Sequence, residues 1–251
     1  MHELAAPPEL LAVWRTFDGF PMETLSKARV YAREGPRQRS VAELEADRAR
    51  YGASGNCFDL ALWLRHRLRA AGFVAEVISD DIGDRDAHVA VLAQTGAGRR
   101  YLCDLGDMWL QPIAVDAPVL EPVPWFFPAA RVTLRCDGPR RVVTMHRPGG
   151  KRAAQRYDLT PVGDEALARA CAANQEHLAQ ALVEVRDPAR DAHWEYDGGV
   201  ARWSAPSGLT REPALADEAA EAARIAARTG MAAGYVLECL QAFATHRGDA
   251  T

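Results

Sequence analysis

Residues 51–73 read YGASGNCFDLALWLRHRLRAAGF. Phe58, Ala61, Leu62, Trp63, Leu64 and Leu68 make a wide apolar stripe at helical spacing, and Gly72 supplies a stop. The stretch therefore predicts a helix from about Cys57 to Ala70. Upstream, most of residues 8–71 carries a helical pattern: PPELLAVWRTF follows a Pro pair, and in SVAELEADRARYG Ser40 is a cap with Glu43 at capping-box spacing. After Gly72 the period changes. FVAEVIS, HVAVLA, RYLCDLG, RVTLRC, RRVVTMH and AQRYDLTPV read as short strands separated by Gly-, Pro- and Asp-rich turns, which predicts an antiparallel sheet or barrel. From Asp164, DEALARACAANQEHLAQALVEV predicts a helix and WEYDGGVARWSA a hairpin. The stretch PALADEAAEAARIAARTGMAAGYVLECLQAFATH predicts helix broken near Gly230. Helices, then strands, then a mixed tail define an α+β chain.

The 251 residues are 48% hydrophobic and 25% charged, which suits a globular protein with a substantial core, in one large domain or two or three small ones. Lys+Arg number 30 against 34 Asp+Glu, a formal net charge of -4. Nothing in that balance draws the chain to nucleic acid or an anionic membrane, so small-molecule or protein partners are expected. The opening MHELAAPPELLAVWRTF has no basic run followed by an apolar core and a cleavage site, and no window reaches the roughly 18 apolar residues of a membrane span. Cys57, Cys103, Cys136, Cys171 and Cys239 are odd in number and widely spread, without a CxxC pair. That pattern argues against a disulfide framework and a structural zinc site, and fits a reducing cytoplasm.

Cys57 stands in the first turn of its helix, where unpaired backbone N–H groups and the positive end of the macrodipole favour thiolate over thiol. Gly55 lets the chain turn tightly and leaves the sulfur accessible. A helix-start cysteine can equally be a small core residue, so its reading as a nucleophile depends on a base and an orienting acid nearby.

The strands DAHVAVLAQ and RRYLCDLG, joined by TGAG, supply a place to look. With Gly96, Ala97 and Gly98 as a three-residue loop, Thr95 pairs with Arg99, Ala90 faces Asp104 and His88 faces Gly106. Even-numbered residues of both strands then share a face, and Asp104 lies diagonal to His88. A two-residue loop would put them on opposite faces. The hairpin can thus present a pair in which Asp104 fixes the imidazole and His88 takes the proton of Cys57. Cys103 points to the other face and reads as packing. His66 lies among arginines, His2 and His246 near the ends, and His146, His177 and His193 have no partner in sequence.

The order Cys57, His88, Asp104 in SGNCFDLALWLRHRLRAAGF, DAHVAVLA and RRYLCDLG resembles the arylamine N-acetyltransferase family, with its signatures RGGxCFE, THxxLxV and YLVDVGFG. FDGFPMETLSK is similar to the family's IPFENLSK segment, and the tail from RYDLTPVGDEALARACAANQ follows the family's order of parts. The resemblance implies a helical bundle carrying the nucleophile (1–72), an antiparallel β-barrel carrying His and Asp (73–163) and an α/β lid (164–251). It also implies ping-pong transfer of an acyl group, acetyl first among the candidates, from acetyl-CoA or another acyl-CoA through Cys57 to a small-molecule amine.

The sequence departs from the family where the pocket is built. Ala53 stands for the signature's Arg, Asp59 for its Glu, and the first-helix Y-x-x-RI pattern is missing. DVGFG becomes Asp104-Leu105-Gly106-Asp107-Met108, so Asp107 replaces an aromatic in the substrate pocket and Met108 a Gly near the donor. A carboxylate at Asp107 favours a polar or cationic acceptor over a plain arylamine. Three other functions share these residues: an amide synthase fed by an acyl carrier protein thioester, a transglutaminase-like hydrolase, and a non-catalytic descendant that only binds. FPMETLSK and the tail favour the acyltransferase.

Overall fold

Local signals set where the N-terminal helices begin and end. The computed structural model describes residues 4–84 and 86–249, so His2 lies outside the described residues. Helix α1 (Pro8–Arg15) starts on the Pro pair, where a missing N–H removes no helical bond. Strand β1 (Met22–Glu23) and helix α2 (Leu25–Glu34) follow. At α3 (Val41–Tyr51) Ser40 and Glu43 form the expected capping box, and Gly52 ends the helix with φ 74°. Helix α4 spans Cys57–Ala70, as expected. Its cap is Asn56, whose Oδ1 accepts from the N–H groups of Phe58 (3.0 Å) and Asp59 (3.2 Å), while Asp59 Oδ2 accepts from Asn56 N–H at 3.2 Å.

Eight strands follow: β2 (Val74–Ser79), β3 (Val89–Gln94), β4 (Arg100–Cys103), β5 (Ile113–Ala114), β6 (Val119–Phe127), β7 (Ala130–Asp137), β8 (Arg140–His146) and β9 (Arg152–Asp158). They form one antiparallel sheet in the order β5-β4-β3-β2-β9-β8-β7-β6. It curls into a nearly closed barrel. Leu110 N–H donates to Phe126 O at 3.0 Å and Arg141 Nε to Val115 O at 2.7 Å, drawing the two ends together. The β3–β4 hairpin has the three-residue loop: Val91 faces Cys103, Leu92 faces Leu102, and Thr95 N–H donates to Arg99 O at 3.0 Å. Gly98 takes the left-handed conformation that this loop needs (φ 81°). Strand β6 had no clear signal because Pro122 and Pro124 interrupt it; it lies at the sheet edge with two register shifts, where proline is tolerated.

The tail adds α5 (Asp164–Glu176), β10 (Leu182–Asp187), β11 (Ala192–Asp197), β12 (Val200–Ala205), β13 (Gly208–Arg211), α6 (Glu218–Thr229) and α7 (Ala233–Asp249). The helix expected to run through HLAQALVEV stops instead at Glu176, and residues 182–187 are a strand. Leu178, Ala181, Leu182 and Val185 match helical spacing, but Val183 and Val185 equally match a strand, and pairing with β11 decides between them. The second sheet runs β1-β10-β11-β12-β13, so Met22 and Glu23 join it from the other end of the sequence.

Two apolar clusters hold the elements together. In the first, Trp14, Phe17, Trp63, Leu64 and Leu68 pack with barrel residues such as Val91, Leu102, Trp109 and Leu134. The second joins Leu25, Ala28 and Ala53 to Val183, Trp194, Ile225, Val236 and Phe243. Cys57 sits where these bodies meet. Among the described residues no helix is long and apolar enough to cross a membrane.

Candidate active site

A buried ionic network seats the start of α4. Glu23 is wholly buried and accepts from Ser26 N–H (2.7 Å), Ser26 Oγ (2.7 Å) and Gly55 N–H (2.7 Å), which fixes the turn before the cap. Arg39 reaches Asp59 Oδ2 at 2.8 Å, Ser26 Oγ at 2.7 Å and Asp47 Oδ2 at 2.9 Å. Gln38 Nε2 donates to the other Asp59 oxygen at 2.6 Å. Burial opposes the Arg39 charge, but Asp59 and Glu23 outweigh it and raise its pKa. The guanidinium that meets Asp59 therefore comes from Arg39; Ala53 is packed in the second apolar cluster. Gly55 has φ 102°, and a Cβ there would collide with Asp59 and Arg39. Arg39→Met should destabilise the protein by about 3–5 kcal/mol in denaturant unfolding, because it leaves buried carboxylates without their cation. A change within about 1 kcal/mol would mean that the network carries no such burden.

The hairpin places His88 and Asp104 just beyond the ends of β3 and β4. His88 Nε2 donates to Asp104 Oδ2 at 2.6 Å, which leaves Nδ1 for the thiol. Burial works against the imidazolium, yet the charge and hydrogen bond of Asp104, then the hydrogen bond and charge of Cys57, hold the His88 pKa well above its ordinary value. Asp104 is wholly buried and accepts also from Tyr157 Oη (2.8 Å) and from Asp107 N–H (2.9 Å). Gly106 closes the group from below: a Cβ at this residue would lie 2.5 Å from Cys57 Cβ and 3.2 Å from His88 Cε1. Only a glycine lets the loop approach both.

Cys57, His88, Gly106 and Asp107 open on a cavity of about 400 Å³, together with Asn56, Lys27, Asn174 and Glu184. Met108 is not in its wall; it is 1% exposed, packed in the first apolar cluster with a left-handed backbone (φ 56°). Asp107 Oδ2 is buried without a hydrogen-bond partner. Burial, then the neighbouring Asp104 charge, push the Asp107 carboxyl up to about 8, against the pull of His88. The folded chain thus keeps a proton that the unfolded chain releases near the ordinary carboxyl value of about 4, and stability falls as pH rises from there towards 8. Asp107→Asn should raise the melting temperature by at least about 4 °C at pH 8.5 and by much less at pH 5. Equal shifts at both pH values would remove this account.

Sequence reasoning did not find Tyr157, Arg39, Lys27 or Asn174. Glu23 and Lys27 both stand in FPMETLSK, and Tyr157 and Asn174 in RYDLTPVGDEALARACAANQ, but only the fold brings these side chains and Arg39 to the site. Of the remaining histidines, His66 is exposed, His246 meets the Tyr31 ring at 5.0 Å and His146 Nε2 lies 3.1 Å from Thr133 Oγ1. His177 lines the cavity. His193 gathers with Glu184 and Glu195 on β10 and β11, within reach of a shared ion. His193 Nε2 lies 3.1 Å from Glu184 Oε1, and Arg202 pairs with Glu195.

No protein-family model matches the sequence, and no curated protein matches it either. The fold is shared with solved arylamine N-acetyltransferases. That of Mycobacterium smegmatis is 18% identical with a TM-score of 0.73, over 95% of this chain and 93% of that one. That of Nocardia farcinica is 18% identical with a TM-score of 0.73, over 92% and 84%. The Mycobacterium marinum enzyme, solved in complex with CoA, is 16% identical with a TM-score of 0.69, over 91% and 90%.

Proposed function

We propose that the chain is an N-acyltransferase that carries an acyl group, acetyl first among the candidates, on Cys57 from acyl-CoA to a small-molecule amine. The observation that carries this reading is the His88–Asp104 pair, hydrogen-bonded at 2.6 Å, meeting a helix-start cysteine in a cavity of about 400 Å³. The shared fold, and the CoA bound to the Mycobacterium marinum protein, support acyl-CoA as the donor.

The sulfur of Cys57, its proton passed to His88 Nδ1, attacks the thioester carbonyl of the donor. The carbon–sulfur bond to CoA breaks, and CoA leaves as the thiol with the proton from His88. An amine then attacks the acyl-Cys57 carbonyl, His88 takes a proton from its nitrogen, and the amide departs as Cys57 regains that proton. Splitting the transfer in two replaces one difficult step by two thioester reactions. Asp104 holds the imidazole in the required tautomer throughout and stabilises its charged form.

The attacking amine must be unprotonated, so any cation recognised by Asp107 is a second group of the acceptor. Such a group would restore a partner to the buried Oδ2 and favour the ionised carboxylate.

Intact-protein mass after incubation with acetyl-CoA and a panel of acyl-CoAs tests the reading. One acyl increment, discharged by added amine, is the expected result. No increment would turn the search to a carrier-protein thioester, and an increment lost as fast in water as with amine would identify a hydrolase. Asp107→Phe should shift acceptor preference from cationic towards aniline-type amines; an unchanged preference would take Asp107 out of the acceptor site.

A further inference from the structure

Lys27, on α2, is 6% exposed yet lines the Cys57 cavity. The other cations buried to this degree are well satisfied: Arg39 by Asp47 and Asp59, Arg186 by the carbonyls of Trp109 and Phe17, and Arg141 by those of Val115, Gly138 and Arg140. Lys27 differs. Among the described residues its ammonium has one polar contact, Asn174 Oδ1 at 3.5 Å, and no carboxylate within salt-bridge distance. Burial lowers its pKa to about 8, against the charges of Cys57 and Asp59, so the chain keeps an ammonium where a methionine would fit without the desolvation penalty.

Asn174 lines the same cavity. Its Oδ1 also accepts from Asn56 Nδ2 at 2.8 Å, and no described residue accepts from its own amide NH2. Asn56 immediately precedes Cys57. Two N–H-bearing groups, one of them charged, thus stand together beside the nucleophile with hydrogen-bonding capacity unused, a donor set that matches the two oxygens of a carboxylate.

We infer that Lys27 and Asn174 form a carboxylate-binding subsite in the Cys57 cavity, occupied either by an acyl group that ends in a second carboxylate or by an amine acceptor that is an amino carboxylate. The assignment to a substrate rests on the acyltransferase reading; the subsite itself does not. It gives the cavity a second polarity beside that of Asp107 and Glu184.

Alkylation of Cys57 tests the subsite without any acyl transfer. Iodoacetate and iodoacetamide have nearly the same shape and differ in charge, so the ratio of their rates reports the cation near the thiol. His88 favours iodoacetate in wild type and variant alike, and comparison with Lys27→Met isolates Lys27. The ratio should fall by about fivefold or more in Lys27→Met, and also in Lys27→Gln, which guards against a misfolded variant. Two further comparisons locate the source. If the carboxylate belongs to the donor, the preference of Cys57 for succinyl-CoA over butyryl-CoA should drop about tenfold in Lys27→Met. If it belongs to the acceptor, the same drop should appear between an aminobenzoate and its neutral amide as they discharge acetyl-Cys57. An unchanged alkylation ratio in both variants overturns the subsite. A lower ratio with neither preference moved overturns its assignment to a substrate. The expected fall in the alkylation ratio, with no acyl adduct from any CoA thioester, would instead defeat the acyl-CoA reading and leave the subsite standing.

Discussion

Cys57→Ala should show no acyl adduct by intact mass and should lose amine acylation by a factor of about 10⁴ or more, the scale on which a nucleophile acting as one unit with its base is lost. The thiol is only partly buried, at the edge of a cavity, so the variant should unfold within about 2 °C of the wild type. No other cysteine is placed to take over. Cys103, Cys171 and Cys239 are buried; burial pushes the Cys171 thiol up to about 11 and raises those of Cys103 and Cys239 as well. Cys136 lies on β7, away from the cavity wall. An acyl increment that persists in Cys57→Ala would therefore place the chemistry elsewhere and end the proposed mechanism.

Asp104→Asn should lower kcat/KM by about 10³–10⁴ while the protein stays folded. Asp104 accepts from three donors, and an amide can replace only one of its oxygens as an acceptor. If the amide NH2 faces His88, the ring must turn its lone pair to Asp104 and carry its proton on Nδ1, where Cys57 needs a base. The variant should also lose stability in a pH-dependent way. Asp104 raises the His88 pKa, so its contribution is fully present below the ordinary histidine value of about 6.5 and is lost as pH rises through the raised one. Denaturant unfolding should thus show a larger cost at pH 6 than at pH 9. A cost that grows with pH, or a kcat/KM within about tenfold of wild type, would contradict the role given to Asp104.

Both predictions depend on Gly106. A side chain at this residue meets the Cys57 backbone and the His88 ring at once, so the loop can carry Asp104 and Asp107 past the helix start only as glycine. The same loop brings Asp107 to the cavity and sends Met108 into the core, although the two are neighbours in sequence. The two positions at which the chain departs from the DVGFG signature therefore have separate consequences: one alters the cavity wall, the other the packing behind it.

What could be read without coordinates was local. Ser40, Glu43 and Gly72 mark helix ends because capping involves residues at most a few positions apart. The β3–β4 register followed from loop length alone, and with it the approach of His88 to Asp104, because strand periodicity of two leaves one face for each residue. Where two periods fitted equally well, as at residues 178–185, the local pattern pointed to helix, and pairing with β11 and β1 made the strand. Arg39 with Asp59, Tyr157 with Asp104, and Lys27 with Asn174 lie 20, 53 and 147 residues apart. Their encounters depend on how α2, α4, α5 and the barrel pack. No spacing rule links residues so far apart, since burial of whole faces brings them together and their hydrogen bonds then follow from that packing.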